Sequence, residues 1–159
     1  METEKNSQNF ASCAVFTSFA DVVARAAASA GARLGMASAS AEGSGRLMAL
    51  PSLDDSFGRK LLLPAWRTEG SRLATRMSAW GYATADDDTI ALELRPPVDT
   101  DLTGRLLERA LTLALVACVS EACGHPMAAA DRERADDAED RLIMSLAGNA
   151  EAQTLAYII

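Results

Sequence analysis

The chain has 159 residues, of which 49% are hydrophobic, 5% aromatic and 23% charged, and it carries a formal net charge of −7 at pH 7. That length and apolar content fit one domain with a core of its own, and the dominance of alanine and leucine over aromatics favours helices over a sheet-rich fold. The acidic balance argues against nucleic acid or an anionic membrane as the main partner, while leaving room for a local basic patch.

Residues 1–17 read as a loose start, since Met1–Asn9 is polar. The apolar stretch Phe10–Ala20 is broken by Ser12, Thr17 and Ser18 and follows no basic region, so it does not read as a targeting signal. The first helix is expected over residues 18–35. There Phe19, Val22, Val23, Ala26, Ala30 and Leu34 share one face, and Asp21 sits in the first turn. It could be an arm, packed on the body or on a neighbour. Residues 36–50 form an Ala/Ser/Gly linker with no periodicity.

A helical core domain is expected over residues 51–148. Ser52-Leu-Asp-Asp55 resembles a capping box, and the following helix runs to about Trp80, with Phe57, Leu61 or Leu62, Trp66, Leu73, Met77 and Trp80 on one face. Pro64 interrupts it, so either a short helix gives way to a longer one or a single helix kinks. Arg59, Lys60, Arg67, Arg72 and Arg76 make the outer face basic. This face is expected either to serve solubility and salt bridging or to dock on an acidic neighbouring subunit.

Asp86–Asp88 form a turn, and Thr89–Arg95 alternates Ile90, Leu92 and Leu94 against Ala91, Glu93 and Arg95, as a half-buried strand does. A single strand leaves backbone groups unpaired, so the partner is either residues 80–84, as a hairpin over about 82–95, or another subunit. The central helix is expected over about 99–123. Asp99 and Asp101 suit its start, and Gly124 its end. Leu102, Leu106, Ala110, Leu113, Ala117 and Ala122 follow helical spacing, while leucines and valines fill most other faces. The uncharged run Ala110–Ser120 is too short for a membrane span, so the helix reads as buried in the core. A charged helix over Met127–Ala147 follows, with Ala135, Ala138, Leu142 and Leu146 as its seam, folded antiparallel on the central helix. An apolar tail, residues 149–159, ends in Tyr157, Ile158 and Ile159, and is either a last piece of core or a contact for a partner. The fold class is therefore mainly α: a helical bundle around the central helix with one short strand or hairpin.

No catalytic signature emerges. His125, the one histidine, stands between Gly124 and Pro126 and reads as a turn residue, and there is no GxSxG, HExxH or paired Cys/His spacing. Asp86–Asp88 lack the spacing of a calcium loop and read as a solvated turn. Asp136, Asp137, Glu139 and Asp140 alternate with arginines as on a solvated face. Gly43-Ser-Gly45 has no Walker lysine. Cys13, Cys118 and Cys123 form no CxxC pair and read as small buried side chains in a reducing compartment. No cofactor or metal is expected.

The order of parts is a helix (DDSFGRKLLLPAWRTEGSRLATRMSAW), a strand (TIALELRPP), an apolar helix (DLTGRLLERALTLALVACVSEAC) and a charged helix (AAADRERADDAEDRLIMSLAG). Over residues 51–148 it resembles a group of uncharacterised proteins of Bacteroides-type phages and prophages. It is similar in outline to the small helical head–tail connector proteins of tailed phages. The resemblance implies a non-enzymatic virion structural protein of the connector, neck or tail. Such a subunit would assemble in the host cytoplasm as a homo-oligomeric ring and contact portal or tail proteins, with no sequence-specific nucleic acid or membrane as partner. The residues expected at its contacts are Ile90, Leu92, Leu94, Tyr157, Ile158, Ile159, Arg67, Arg72 and Arg76. The alternatives are a cytoplasmic helical adaptor that binds one protein, and a small enzyme using Asp86–Asp88 or His125 with a metal.

Overall fold

The computed structural model describes residues 13–29, 56–95 and 99–158, with side chains for 14–29, 58–95 and 99–148. In chain order the elements are β1 (Cys13–Ser18), α1 (Phe19–Ser29), α2 (Ser56–Arg76), β2 (Gly81–Ala85), β3 (Thr89–Leu94), α3 (Thr100–Cys123) and α4 (Ala128–Ile158). The fold is mainly helical with a small antiparallel sheet. The linker expected over 36–50 lies outside the described residues.

The central helix forms as its sequence dictates. Asp99 is its N-cap, with Oδ1 accepting from Leu102 N at 3.0 Å, and Gly124 closes it in the left-handed region at φ 64°. Leu107, Leu111, Ala114, Leu115 and Val119 are buried to 1% exposure or less. Burial of each large side chain contributes about 1.5–3 kcal/mol. α3 packs against α1, α2, α4 and β1. Its deep face differs from the expected stripe, for Leu102 is exposed and Leu106 and Leu113 are only half-buried. With so many apolar positions, the side turned inward is chosen by what packs there, not by spacing.

α4 folds back along α3. Ser120 Oγ donates to Asp131 Oδ2 at 2.6 Å, and Arg132 grips Glu121 at 2.7 and 3.1 Å across the turn. Its backbone stays helical to Ile158, so of the tail expected over 149–159, residues 149–158 continue the helix and Ile159 lies outside the described residues.

α2 is one unbroken helix with Pro64 inside it. Pro64 is exposed, while Leu62, Trp66, Leu73 and Met77 on the opposite side are buried at 0–1% exposure. Burial of these four outweighs the backbone hydrogen bond that proline removes.

The sheet has the order β1-β3-β2, antiparallel throughout. β2 and β3 form the hairpin, with Tyr82 opposite Glu93 and Thr84 opposite Ala91. The strand missing from the sequence reading is β1, which pairs along β3 from Cys13↔Leu94 to Ser18↔Thr89. Residues 13–17 therefore belong to the sheet, not to a loose start. Ser18 ends β1 and its Oγ accepts from Asp21 N at 3.1 Å, which starts α1 without an intervening loop. At the hairpin's entry Gly81 has φ 156°, and any Cβ there would collide with the Glu93 carbonyl oxygen. Glycine is required at that position.

Candidate interaction site

Ile90, Leu92 and Leu94, expected at a subunit contact, are 0–1% exposed and belong to the chain's own core with Trp66, Phe19 and Leu107. β3 is paired on both edges within the chain. Its backbone and its apolar side chains are already satisfied, so it has nothing left to offer a neighbour. This corrects the expectation. Tyr157 and Ile158 lie in the last turn of α4 outside the described side chains, and Ile159 lies outside the described residues.

The arginines of α2 are also used within the chain. Arg59 Nη2 meets Asp88 Oδ1 at 2.8 Å, and its guanidinium lies 5.1 Å from the centre of the Phe19 ring. Arg67 holds both oxygens of Asp87 at 2.9 Å, and this fork holds the Asp87 carboxyl below its ordinary range. Arg76 bonds Glu139 at 2.7 Å and Asp140 at 2.9 Å, and Arg72 reaches Glu139 at 3.3 Å and Asp136 at 3.7 Å. The face expected to dock on an acidic subunit finds its acidic partners on α4 and on the β2–β3 turn.

This clamp encloses a pair of carboxyls. The side chain of Glu69 is 9% exposed and that of Glu139 is 3% exposed, and Arg72 stands 3.6 Å from the first and 3.3 Å from the second. Burial first, then the Glu139 carboxyl beside it, push Glu69 up to about 7, against a pull downward from Arg72 and Arg132. Sequence reading placed Glu139 on a solvated face. Two signals mark both residues: Glu69 sits three residues after Trp66 and four before Leu73, and Glu139 sits four after Ala135 and three before Leu142. A charge on an apolar stripe is a buried charge.

What the described residues leave uncovered is the outer face of the sheet. Strand alternation sends Val15, Thr17, Ile90, Leu92 and Leu94 inward and Ala14, Phe16, Tyr82, Thr84 and Ala91 outward. Phe16 is 73% exposed and Tyr82 is 55% exposed. The register sets them in two rows: Phe16, Ala91, Thr84, and Ala14, Glu93, Tyr82. The Glu93 carboxylate opposite it raises the Tyr82 phenol above its ordinary range. No sequence signal marked Phe16, because β1 was not read as a strand.

The residues weighed for catalysis have structural work. His125 Nδ1 accepts from Met127 N at 3.0 Å and shapes the α3–α4 turn. Asp86 Oδ1 accepts from Asp88 N at 2.8 Å and Thr89 N at 2.7 Å, which closes the hairpin turn. Burial raises the thiols of Cys118 and Cys123, which keeps them protonated and unreactive. Among the described residues no group of three or more His, Cys, Asp or Glu could hold a metal ion, and no helix is long and apolar enough to cross a membrane. Comparison with protein-family models, with curated proteins and with solved structures found no match.

Proposed function

We propose that this chain is a non-enzymatic structural subunit that self-associates through the outer face of its sheet, in an assembly of the head–tail connector or tail kind. The observation that carries the reading is the exposure of Phe16 and Tyr82 at opposite corners of a face whose other positions, apart from Glu93 at its centre, are small. Large apolar side chains left in water on a flat strand surface mark a contact. The pattern is also self-complementary. A second copy, turned by half a revolution about an axis running across the strands, sets Phe16 over Ala14 and Tyr82 over Thr84. Each bulky side chain then meets a small one, as a two-fold interface requires. A ring needs a second, head-to-tail contact besides this one. The virion setting rests on the resemblance in order of elements.

The test is the solution mass of the full chain by light scattering behind a sizing column, alongside the double variant F16S/Y82S. Both residues are exposed, so the fold survives their replacement. An even-numbered oligomer that the double variant dissociates supports the proposal. A wild-type monomer at high concentration, or an oligomer unmoved by the double variant, overturns it. A monomer would turn attention to the adaptor reading, with this same face as the place where one other protein binds.

A further inference from the structure

The arginines described so far each meet a carboxylate. On the other side of α3, two do not. Arg25 of α1 and Arg105 and Arg109 of α3 line one cleft of ≈ 410 Å³, together with Glu108, Thr112 and Leu113. Glu108 is the cleft's one carboxylate among the described residues, and it pairs with Arg25 at 3.3 Å. Arg105 and Arg109 have no ion-pair or hydrogen-bond partner among the described residues. They stand four apart on α3, where like charges work against the helix. Arg109 also borders a smaller hollow on α4 with Arg134, Arg141 and one carboxylate, Asp137.

An oxyanion lodged among the three guanidiniums would supply the charge that Arg105 and Arg109 lack.

We infer that this cleft between α1 and α3 binds a phosphate oxyanion, gripped by Arg25, Arg105 and Arg109. Three guanidiniums against one carboxylate leave a surplus of two positive charges, which matches a phosphate better than a carboxylate. Guanidinium forks suit phosphate oxygens. The volume falls within the range of about 300–1,000 Å³ typical of small-ligand pockets, enough for an inorganic diphosphate or the diphosphate of a nucleotide. Glu108 is a positioning residue, because it draws Arg25 from α1 across to α3.

The test is calorimetric titration of the full chain with inorganic pyrophosphate, and separately with ADP, in a low-salt buffer free of phosphate and magnesium. Saturable one-site binding is expected. It should weaken about tenfold in R105Q and in R109Q, the effect of losing one charge-assisted hydrogen bond. R67Q, outside the cleft, should bind as the wild type does. Tighter binding of ADP would identify a nucleotide as the source of the phosphate, and equal affinities a free phosphate. Absence of saturable heat with both ligands overturns the inference. So does binding that R105Q and R109Q leave unchanged, since the anion would then sit elsewhere.

Discussion

Replacing Glu69 by Gln tests whether the buried carboxyl pair shares a proton. Glu69 rises from 4.5 to about 7 in the folded chain, chiefly because burial disfavours its charge, with the neighbouring Glu139 carboxyl adding to the rise. The folded state therefore holds a proton that the unfolded state gives up between pH 4.5 and 7. The stabilisation is complete below pH 4.5, declines as pH rises, and is gone above about 7. The shift corresponds to about 3 kcal/mol. Glutamine keeps the shape of the side chain and a donor for Glu139 but never ionises. E69Q should therefore match the wild type near pH 4.5 and exceed it by up to about 3 kcal/mol at pH 8. Urea unfolding followed by far-ultraviolet circular dichroism at pH 5, 6, 7 and 8 measures the difference. All other titrating groups are common to the two proteins, so the gap between the curves isolates this one. A gap that stays constant across the series would refute the shared proton and leave Glu69 ionised within its arginine cage.

Three further substitutions probe the fold. Trp66 is fully buried, donates from Nε1 to the Asp86 carbonyl at 2.8 Å and meets the Phe19 ring edge-on at 5.2 Å; W66F should cost about 2–4 kcal/mol, read from thermal melting. G81A should destabilise by about 3 kcal/mol through clash and positive φ, with hydrogen exchange speeding first along β2. Thr103 is 0% exposed and its Oγ1 has no hydrogen-bond partner among the described residues; T103V should raise stability by about 1 kcal/mol, seen as a higher urea midpoint.

The helices were legible because local chemistry marks their ends and apolar spacing marks their faces. Asp99 and Gly124 cap α3 where their side-chain and backbone preferences put them. The alternation of Ile90, Leu92 and Leu94 named β3 correctly, but alternation says only that one face is buried, not by what. That was decided by β1, which pairs with β3 across about seventy residues of sequence. Cys13–Ser18 is short, and its flanking serines and phenylalanines carry no strand signature strong enough to reveal it alone. Pro64 misled in the other direction, since a proline's local cost is visible in sequence and the burial that outweighs it is not. The arginines of α2 showed their charge but not their partners, because Asp136, Glu139 and Asp140 reach them only once α3 brings α4 alongside. The cleft of Arg25, Arg105 and Arg109 was invisible for the same reason, as it joins two helices that nothing in the spacing relates.

The early attachment of β1 to a late-formed strand divides the molecule in an unusual way. β1 and α1 are consecutive and together cover one edge of β3 and one side of α3, while the other described core elements follow residue 55. A covalent connection raises the effective concentration of two such pieces for one another. A body starting at residue 56 would present a bare β3 edge, with the backbone groups that Cys13–Ser18 normally occupies left open. A separate peptide of residues 13–29 supplies the matching strand and helix. The chain is thus laid out as a natural two-fragment system, in which restoration of the fold by the added peptide reports directly on the encounter of the two parts.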